Sequence, residues 1–474
     1  MAEHRRAKIV CTLGPATFSS RKIVQLIKAG MDVVRLNFSH GTVQQHARTV
    51  RIVRKAASGL GKPVAILLDL PGPKIRVGDI AGGEVELKAG RQIVLTGRRV
   101  VGTEQRISST YPNMAKDVWP GDRILIDDGR IHLRVRQVDG RDIRCRIEHG
   151  GTLYSQKGIN LPGSALSIPS LTPRDREGLA FGLEAGVDYL AVSFVRTEKD
   201  LQATRRFMRR KGGAIPLVAK IEKPQAVENL DAILDETDAV MVARGDLGVE
   251  LLPERVPLVQ KAIIDAANVR GYAVITATEM LFSMIENPQP TRAEASDVAN
   301  AILDGTDAVM LSGETATGRY PVEAVKMMSR IIRETERCSD ACFRDFPDRV
   351  RTPSTVVASA ACQAAEEAPA SAIVAFTRSG LTARLVSKHR PRVRIFAYTT
   401  DRATLRRLSL DWGVTAFHIP IGRRINEMIE RVEADLLQKR LVRPRDIVVF
   451  VGSTPVLDGG PTNLMKVHTV KSRR

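Results

Sequence analysis

Eight short apolar runs constrain this chain more than any other feature. They fall at residues 8–13, 31–36, 63–68, 187–195, 215–221, 239–243, 272–277 and 308–311, each followed by a polar cluster. The runs are rich in Val, Ile, Leu and Ala without polar alternation, as expected of parallel strands buried on both faces. Helix-like stretches lie between most of them, at 20–29, 46–58, 174–185, 198–211, 256–269 and 292–302. Gly30 and Gly186 stand where helix C-caps belong. Eight strand–helix units predict a (β/α)8 barrel. An internal echo agrees with repeated units: Thr237-Asp238-Ala239-Val240-Met241 recurs as Thr306-Asp307-Ala308-Val309-Met310.

Two stretches do not fit this period. More than a hundred residues separate the third and fourth runs, too many for one crossover helix. Inside that gap Ile131, Leu133 and Val135 alternate with His132, Arg134 and Arg136, and Ile143, Cys145 and Ile147 alternate with Arg144 and Arg146. Asp139-Gly140 between them is a hairpin signal. Residues 72–171 therefore read as an antiparallel β-barrel domain, a lid inserted at the strand-end face, with 1–71 and 172–340 forming the (β/α)8 barrel. Apolar runs at 372–376, 393–398, 415–419, 447–451 and 465–470 make 341–474 a third, doubly wound α/β domain. A length of 474 residues suits two or three domains.

Composition narrows the setting. With 43% hydrophobic and 26% charged residues the chain is globular, and no apolar run approaches the roughly 20 residues of a membrane span. The start, MAEHRRAKIV, lacks the apolar stretch of a secretory signal, and five cysteines without a C-x-x-C pair argue against a disulfide scaffold. The expectation is a soluble protein of a reducing compartment. The 72 Lys and Arg against 53 Asp and Glu leave a net charge of +19, and residues 341–474 carry 23 basic and 12 acidic residues. Such a surface can attract nucleic acid, an anionic membrane or a phosphorylated small molecule, or simply keep the chain soluble. Aromatic residues at 4% are few for stacking unpaired bases.

In a barrel the active site lies at the C-terminal strand ends. Those positions read Arg35, Asn37, Ser39 and His40; Asp69; Ser193 and Arg196; Lys220 and Glu222; Arg244 and Asp246; Thr278 and Glu279; Ser312 and Glu314. A ring of charges is costly in a core and fits a polar ligand. Glu222 and Asp246 end adjacent strands and can converge on a hard cation such as Mg²⁺, or form ion pairs with Lys220 and Arg244. Lys220 and Glu222, two apart, share a strand face, and so do Arg35 and Asn37. Arginine at that position suits phosphate or carboxylate. Cys338 and Cys342 have i,i+4 spacing and read as one helix face rather than a metal pair. Arg244-Gly245-Asp246 spells an adhesion tripeptide but follows a buried strand, and residues 58–62 lack P-loop spacing.

Taken together the strand ends resemble the pyruvate kinase family. The resemblance is carried by residues 5–17 (RRAKIVCTLGPAT), 35–41 (RLNFSHG), 69–76 (DLPGPKIR), 157–163 (KGINLPG), 220–224 (KIEKP), 241–248 (MVARGDLG), 290–294 (PTRAE) and 312–316 (SGETA), in the family's order and across nearly the whole chain. It implies transfer of the phosphoryl group of phosphoenolpyruvate to ADP, giving pyruvate and ATP, in a cytoplasmic glycolytic homotetramer. By the same resemblance Arg35 and Lys220 hold the transferring phosphoryl. Glu222 and Asp246 bind Mg²⁺ or Mn²⁺, and Gly245 and Thr278 contact the substrate carboxylate, Thr278 also helping to protonate the enolate. Asn37, Ser39, His40, Arg76 and Lys157 face the nucleotide.

Three departures from the family pattern stand out. Members that need K⁺ use an Asn, a Ser, an Asp and a backbone carbonyl, in this chain Asn37, Ser39, Asp69 and Leu70, together with a nearby Glu. Lys74 replaces that Glu, so K⁺ is expected to be dispensable. Glu279 stands where Gln is common. Thr377, Arg378, Ser379, Gly380 and Thr382 form a loop between a strand and a helix, as a phosphate nest does, and resemble the family's effector site for a phosphorylated small molecule. Two rivals remain at this stage: another pyruvate-handling barrel such as a lyase, which has no use for a nucleotide motif, and a basic nucleic-acid-binding protein. The first predicts ADP-independent product formation and the second salt-sensitive binding to DNA.

Overall fold

The structure, a computed structural model, describes residues 5–163, 167–343, 346, 351–420, 425–454 and 460–471. Eight parallel strands close into a barrel in sequential order: β1 Lys8–Thr12, β2 Val33–Asn37, β3 Ala65–Asp69, β4 Tyr189–Val192, β5 Leu217–Ile221, β6 Ala239–Ala243, β7 Ala273–Ala277 and β8 Ala308–Leu311. Runs 239–243 and 308–311 are strands at their full length, whereas run 187–195 shrinks to Tyr189–Val192. At its lower end Asp188 turns its carboxylate to the Ile66 amide, and at its upper end Phe194 takes a left-handed φ of 55°. Small and branched side chains such as Val10, Leu67, Val218 and Ile275 fill the interior, so the barrel is packed and not a pore.

The lower rim repeats one device. Asp32, Asp188, Asp238 and Asp307 each precede an even-numbered strand and accept the backbone N–H of a residue on the strand before it, Ile9, Ile66, Leu217 or Val274, at 2.8–3.0 Å. Each also has a cation: Arg5 and Lys62 on Asp32, Arg54 and Arg406 on Asp188, Arg205 on Asp238, Lys388 and Arg390 on Asp307. The echo at 237–241 and 306–310 is half of this fourfold pattern. Within it Thr237 and Thr306 also hydrogen-bond alike, each to the carbonyls of the preceding strand and of the residue two places on.

The segment between β3 and β4 forms a seven-stranded sheet and a two-stranded ribbon. Its hairpin pairs Ile131–Asp139 with Asp142–His149, with Gly140 at φ 60° in the turn. The two ends of the sheet meet: Thr110 N donates to Arg76 O at 2.8 Å, Gly78 N to Ser108 O at 2.9 Å, and Val77 bridges Ser109. One pair is parallel, Gln92–Thr96 with Arg106–Ser108, so the expected antiparallel pattern has an exception where the chain loops back before pairing.

The C-terminal segment holds a five-stranded sheet ordered Val414–His418, Arg394–Thr399, Ala372–Phe376, Ile447–Gly452, Leu464–Thr469, the last antiparallel to its neighbour. Helices Pro353–Glu367 and Leu381–Lys388 bury Ala358, Ala361, Ala383 and Val386 on one face, and helix Ile425–Gln438 buries Met428, Val432 and Leu436 on the other. This sheet lies against the lower rim of the barrel through Lys388, Arg390 and Arg406 and through Ser409 Oγ on Pro63 O. No helix among the described residues is long and apolar enough to cross a membrane. The i,i+4 reading of Cys338 and Cys342 fails. Helix Pro321–Cys338 ends at the first, Ser339 is extended, and the second lies buried in a separate short turn.

Candidate active site

Side chains two residues apart on a strand share a face, and this rule assembles the upper rim. β5 delivers Lys220, whose Nζ lies 2.7 Å from Glu222 Oε1, 3.3 Å from Asp69 Oδ1 and 2.6 Å from Ser193 Oγ. β2 delivers Arg35, which donates from Nε to Asp69 Oδ2 at 2.7 Å and from Nη1 to Thr12 Oγ1 at 3.1 Å, with Nη2 2.6 Å from the same carboxylate. Asp69 is thus shared by two cations. Burial alone would raise its pKa, but Lys220 and Arg35 outweigh burial and hold it below the usual carboxylate range. For Lys220, burial would lower the pKa, and Asp69 and Glu222 together raise it instead, so the ammonium stays charged.

Glu222 is fully buried at 0% exposure, and its Oε2 accepts the Phe194 amide at 2.7 Å. Burial raises its pKa, and despite the opposing Lys220 the neighbouring charge of Asp246 adds to the rise. A buried carboxylate beside a second carboxylate, with the single ammonium of Lys220 between them and Asp69, is a donor set that fits a divalent cation. Among the described residues no three His, Cys, Asp or Glu side chains gather in this way. Two carboxylates are what Mg²⁺ takes when water and substrate oxygens complete its shell.

Asp246 lies in the first turn of helix Arg244–Glu250, which starts directly from β6. Gly245 N donates to Thr278 Oγ1 at 2.7 Å, and that hydroxyl donates to Ala277 O at 2.6 Å. Thr278 and Glu279 both have positive φ, 68° and 56°, a conformation unfavourable for a β-branched residue. Arg244 secures it, donating to Thr278 O at 2.6 Å while pairing with Asp297 at 2.6 Å. A Cβ on Gly245 would rest in ordinary contact, 3.5 Å from Thr278 Oγ1. Glu279 is exposed and shares a cavity with Arg244, Gly245 and Asp297.

The residues assigned to the nucleotide are spread out. Asn37 Oδ1 accepts Ser39 N at 3.1 Å, and Ser39 and His40 are exposed at the rim. Across the gap Arg76 donates to Gln156 O at 2.9 Å, and Lys157 pairs with Asp127 at 2.8 Å rather than reaching the barrel. Of the four oxygens proposed for a monovalent cation, those of Asp69 face Arg35 and Lys220, and Leu70 O accepts Ser193 Oγ at 2.6 Å. Lys74 makes no ion pair among the described residues. It lies against Gly158 and lines a cleft with Lys223 and Asp246.

One strand-end residue does not join the ring. Glu314 turns back to accept Ser312 N at 2.7 Å and Leu281 N at 3.1 Å, so it shapes the loop instead. Thr12, Ser193 and Phe194 matter more than their sequence positions announced, since they hold Arg35, Lys220 and Glu222. Ser193 was legible as a strand end; the amide of Phe194 left no trace in the sequence.

In the C-terminal segment Thr377, Arg378, Ser379 and Gly380 join strand Ala372–Phe376 to helix Leu381–Lys388, with Gly380 at φ 93°. Gly380 N donates to Thr377 Oγ1 at 2.9 Å, and the Thr382 and Thr462 hydroxyls lie 2.8 Å apart. The loop and Thr382 line a cavity of about 270 Å³ with Ile425, Ser453 and Thr462.

The barrel-domain profile of pyruvate kinases matches residues 4–325, and the pyruvate kinase alpha/beta-domain profile matches residues 355–468. The chain is 46% identical over 474 residues to a pyruvate kinase of Geobacillus stearothermophilus, covering 98% of this chain and 80% of that protein. It is 46% identical over 464 residues to one of Corynebacterium glutamicum, covering 98% and 97%. The crystal structure of a pyruvate kinase from Cryptosporidium parvum superposes with a TM-score of 0.93 at 36% identity, covering 98% of this chain and 96% of that one. With the paired cations of β2 and β5 in place above a closed barrel, these matches settle the assignment: the chain belongs to the pyruvate kinase family.

Proposed function

We infer that this protein transfers the phosphoryl group of phosphoenolpyruvate to ADP, giving pyruvate and ATP, the last step of glycolysis. The observation that carries this reading is the chain Arg35–Asp69–Lys220–Glu222, in which two cations are held side by side at the mouth of the barrel. During transfer the bond between phosphorus and the enol oxygen breaks, and a new one forms to a terminal oxygen of ADP. Negative charge spreads over the moving phosphoryl oxygens. Arg35 presents a planar fork to those oxygens, and Lys220 follows the charge as a compact ammonium; Asp69 keeps both aimed. Glu222 and Asp246 would hold Mg²⁺ or Mn²⁺, which supplies the remaining positive charge against substrate oxygens. The enolate left behind takes a proton at its methylene carbon. The Thr278 hydroxyl, fixed by Ala277 O and Gly245 N, is placed to orient the water that delivers it.

Residues 72–171 act as the lid in this reading, and its closure brings Arg76 and Lys157 toward a nucleotide resting near Asn37, Ser39 and His40. Excluding water there strengthens every charge interaction of the transfer. Lys74 takes over the positive charge that K⁺ brings elsewhere in the family, so K⁺ is dispensable. The loop 377–382 binds an activating phosphorylated small molecule, consistent with a Gly-containing turn that opens a helix beside a cavity. The enzyme works as a cytoplasmic homotetramer. The test is a phosphoenolpyruvate- and ADP-dependent assay on the wild type and on Lys220→Met. Turnover by the first, near-complete loss in the second and retained nucleotide binding are expected; product formed without ADP would overturn the reading.

A further inference from the structure

We propose, resting on the phosphoryl-transfer reading, that Glu250 is a positioning residue that joins the seating of the lid to the cationic Lys223 beside the Mg²⁺ carboxylates. Three elements meet on this one side chain. It closes helix Arg244–Glu250, the same short helix that carries Gly245 and Asp246. From the lid, Asn160 Nδ2 donates to Glu250 Oε1 at 2.8 Å; from the barrel, Lys223 Nζ lies 2.5 Å from the same oxygen. All three residues are buried, and Oε2 of Glu250 has no hydrogen-bond partner among the described residues. So, among the described residues, Asn160 and Lys223 meet on a single carboxylate oxygen whose twin has no alternative partner.

Both ends of the junction lead to the chemistry. Asn160 ends strand Gly158–Asn160, which pairs with Arg123–Ile126. Asp127 and Lys157 directly flank these two strands, and they form an ion pair within the lid, 2.8 Å apart. Anchoring Asn160 therefore fixes where Lys157 begins its reach. At the other end Lys223 follows Glu222 directly, lies over the Phe194 ring at 5.5 Å, and lines the cleft that Asp246 also lines. A buried ammonium without its carboxylate would be an uncompensated charge next to the Mg²⁺ ligands and would oppose a second cation there.

Two variants separate the two ends. Asn160→Ala removes this tie to the lid but leaves Lys223 paired. Its KM for ADP is expected to rise about tenfold, with the Mg²⁺ activation constant unchanged. Glu250→Gln keeps an oxygen for Asn160 but removes the charge from Lys223. There the Mg²⁺ activation constant is expected to rise about tenfold, and the ADP KM to move less. In Glu250→Ala both constants rise, and adding Asn160→Ala to it raises the ADP KM no further, since the contact is already gone. Thermal melting of each variant identifies any that fail to fold; if Glu250→Ala is one, the two conservative variants still decide. An ADP KM unchanged in Asn160→Ala, or proportional losses in every constant in both variants, would overturn the proposal. An inactive wild type would instead overturn the phosphoryl-transfer reading on which it stands.

Discussion

At the lower rim of the barrel, Asp32, Asp188, Asp238 and Asp307 each meet a backbone donor and at least one Lys or Arg. At the upper rim Arg35 and Lys220 share one aspartate, Glu222 and Asp246 have the single ammonium of Lys220 between them and Asp69, and Thr278 is held at a positive φ. The same strands thus end in matched charges below and mismatched charges above. Matching gives a firm base, and mismatch leaves room for a ligand that brings what is missing. On the proposed function, stability and catalysis are divided between the two ends of one cylinder.

The largest expected effect tests the upper rim. Lys220→Met should lower kcat by on the order of 10³ or more in the protein that folds, because its charge serves the transition state. Asp307→Asn should spare kcat and cost stability. It strands Lys388 and Arg390 in the interior, and a loss of about 3–5 kcal/mol in unfolding free energy is expected by chemical denaturation. If Asp307→Asn spared stability and cut kcat selectively, the division would be broken.

Acid sharpens the contrast. Burial would raise the pKa of Asp32 and Asp307, but Arg5 with Lys62, and Lys388 with Arg390, hold both below the ordinary carboxylate value. The folded state therefore binds protons less readily than the unfolded chain, whose aspartates titrate near about 3.9. The stability these groups provide is complete above that pH and is lost as pH falls below it. Thermal melts from pH 6 down to pH 3 should show this loss shrinking in Asp307→Asn. Above, Mg²⁺ should raise the melting temperature of the wild type, equivalent to roughly 2.7 kcal/mol at a hundredfold excess over Kd, and should do much less for Glu222→Gln. The smallest effect expected is that of K⁺: with Lys74 present, adding K⁺ to a Na⁺-free assay should change turnover by less than about twofold. Strong activation would show that the oxygens of Asn37, Ser39, Asp69 and Leu70 still need the ion.

Much of this was legible in the residues themselves. The apolar runs placed β6 and β8 to the residue, and helical spacing did the same for Ser20–Ala29 and Val256–Val269, because burial on a strand or helix face is a local demand. Lys220 with Glu222 was readable from the two-residue period of a strand. The anchoring of Glu250 to Asn160 was not, since it joins residues 90 apart and depends on how the insert sits on the barrel. Glu314 looked like a site residue by position and is a loop-shaping one, because the Ser312 amide of its own turn and the Leu281 amide of the loop after β7 claim the carboxylate. The fourfold aspartate pattern showed only in its two most similar copies; the others, Met31-Asp32-Val33 and Val187-Asp188-Tyr189, differ in every neighbour.

The aspartates of the lower rim sit under alternate staves, like rivets at the foot of a cask. Hoops fixed at one end free the other: substitutions, insertions or a whole new module at the open mouth can accumulate without loosening the closure beneath. A chain built this way can exchange its substrate over evolutionary time while keeping its cylinder, and the hundred residues interrupting the circuit after β3 are themselves a sign of that tolerance.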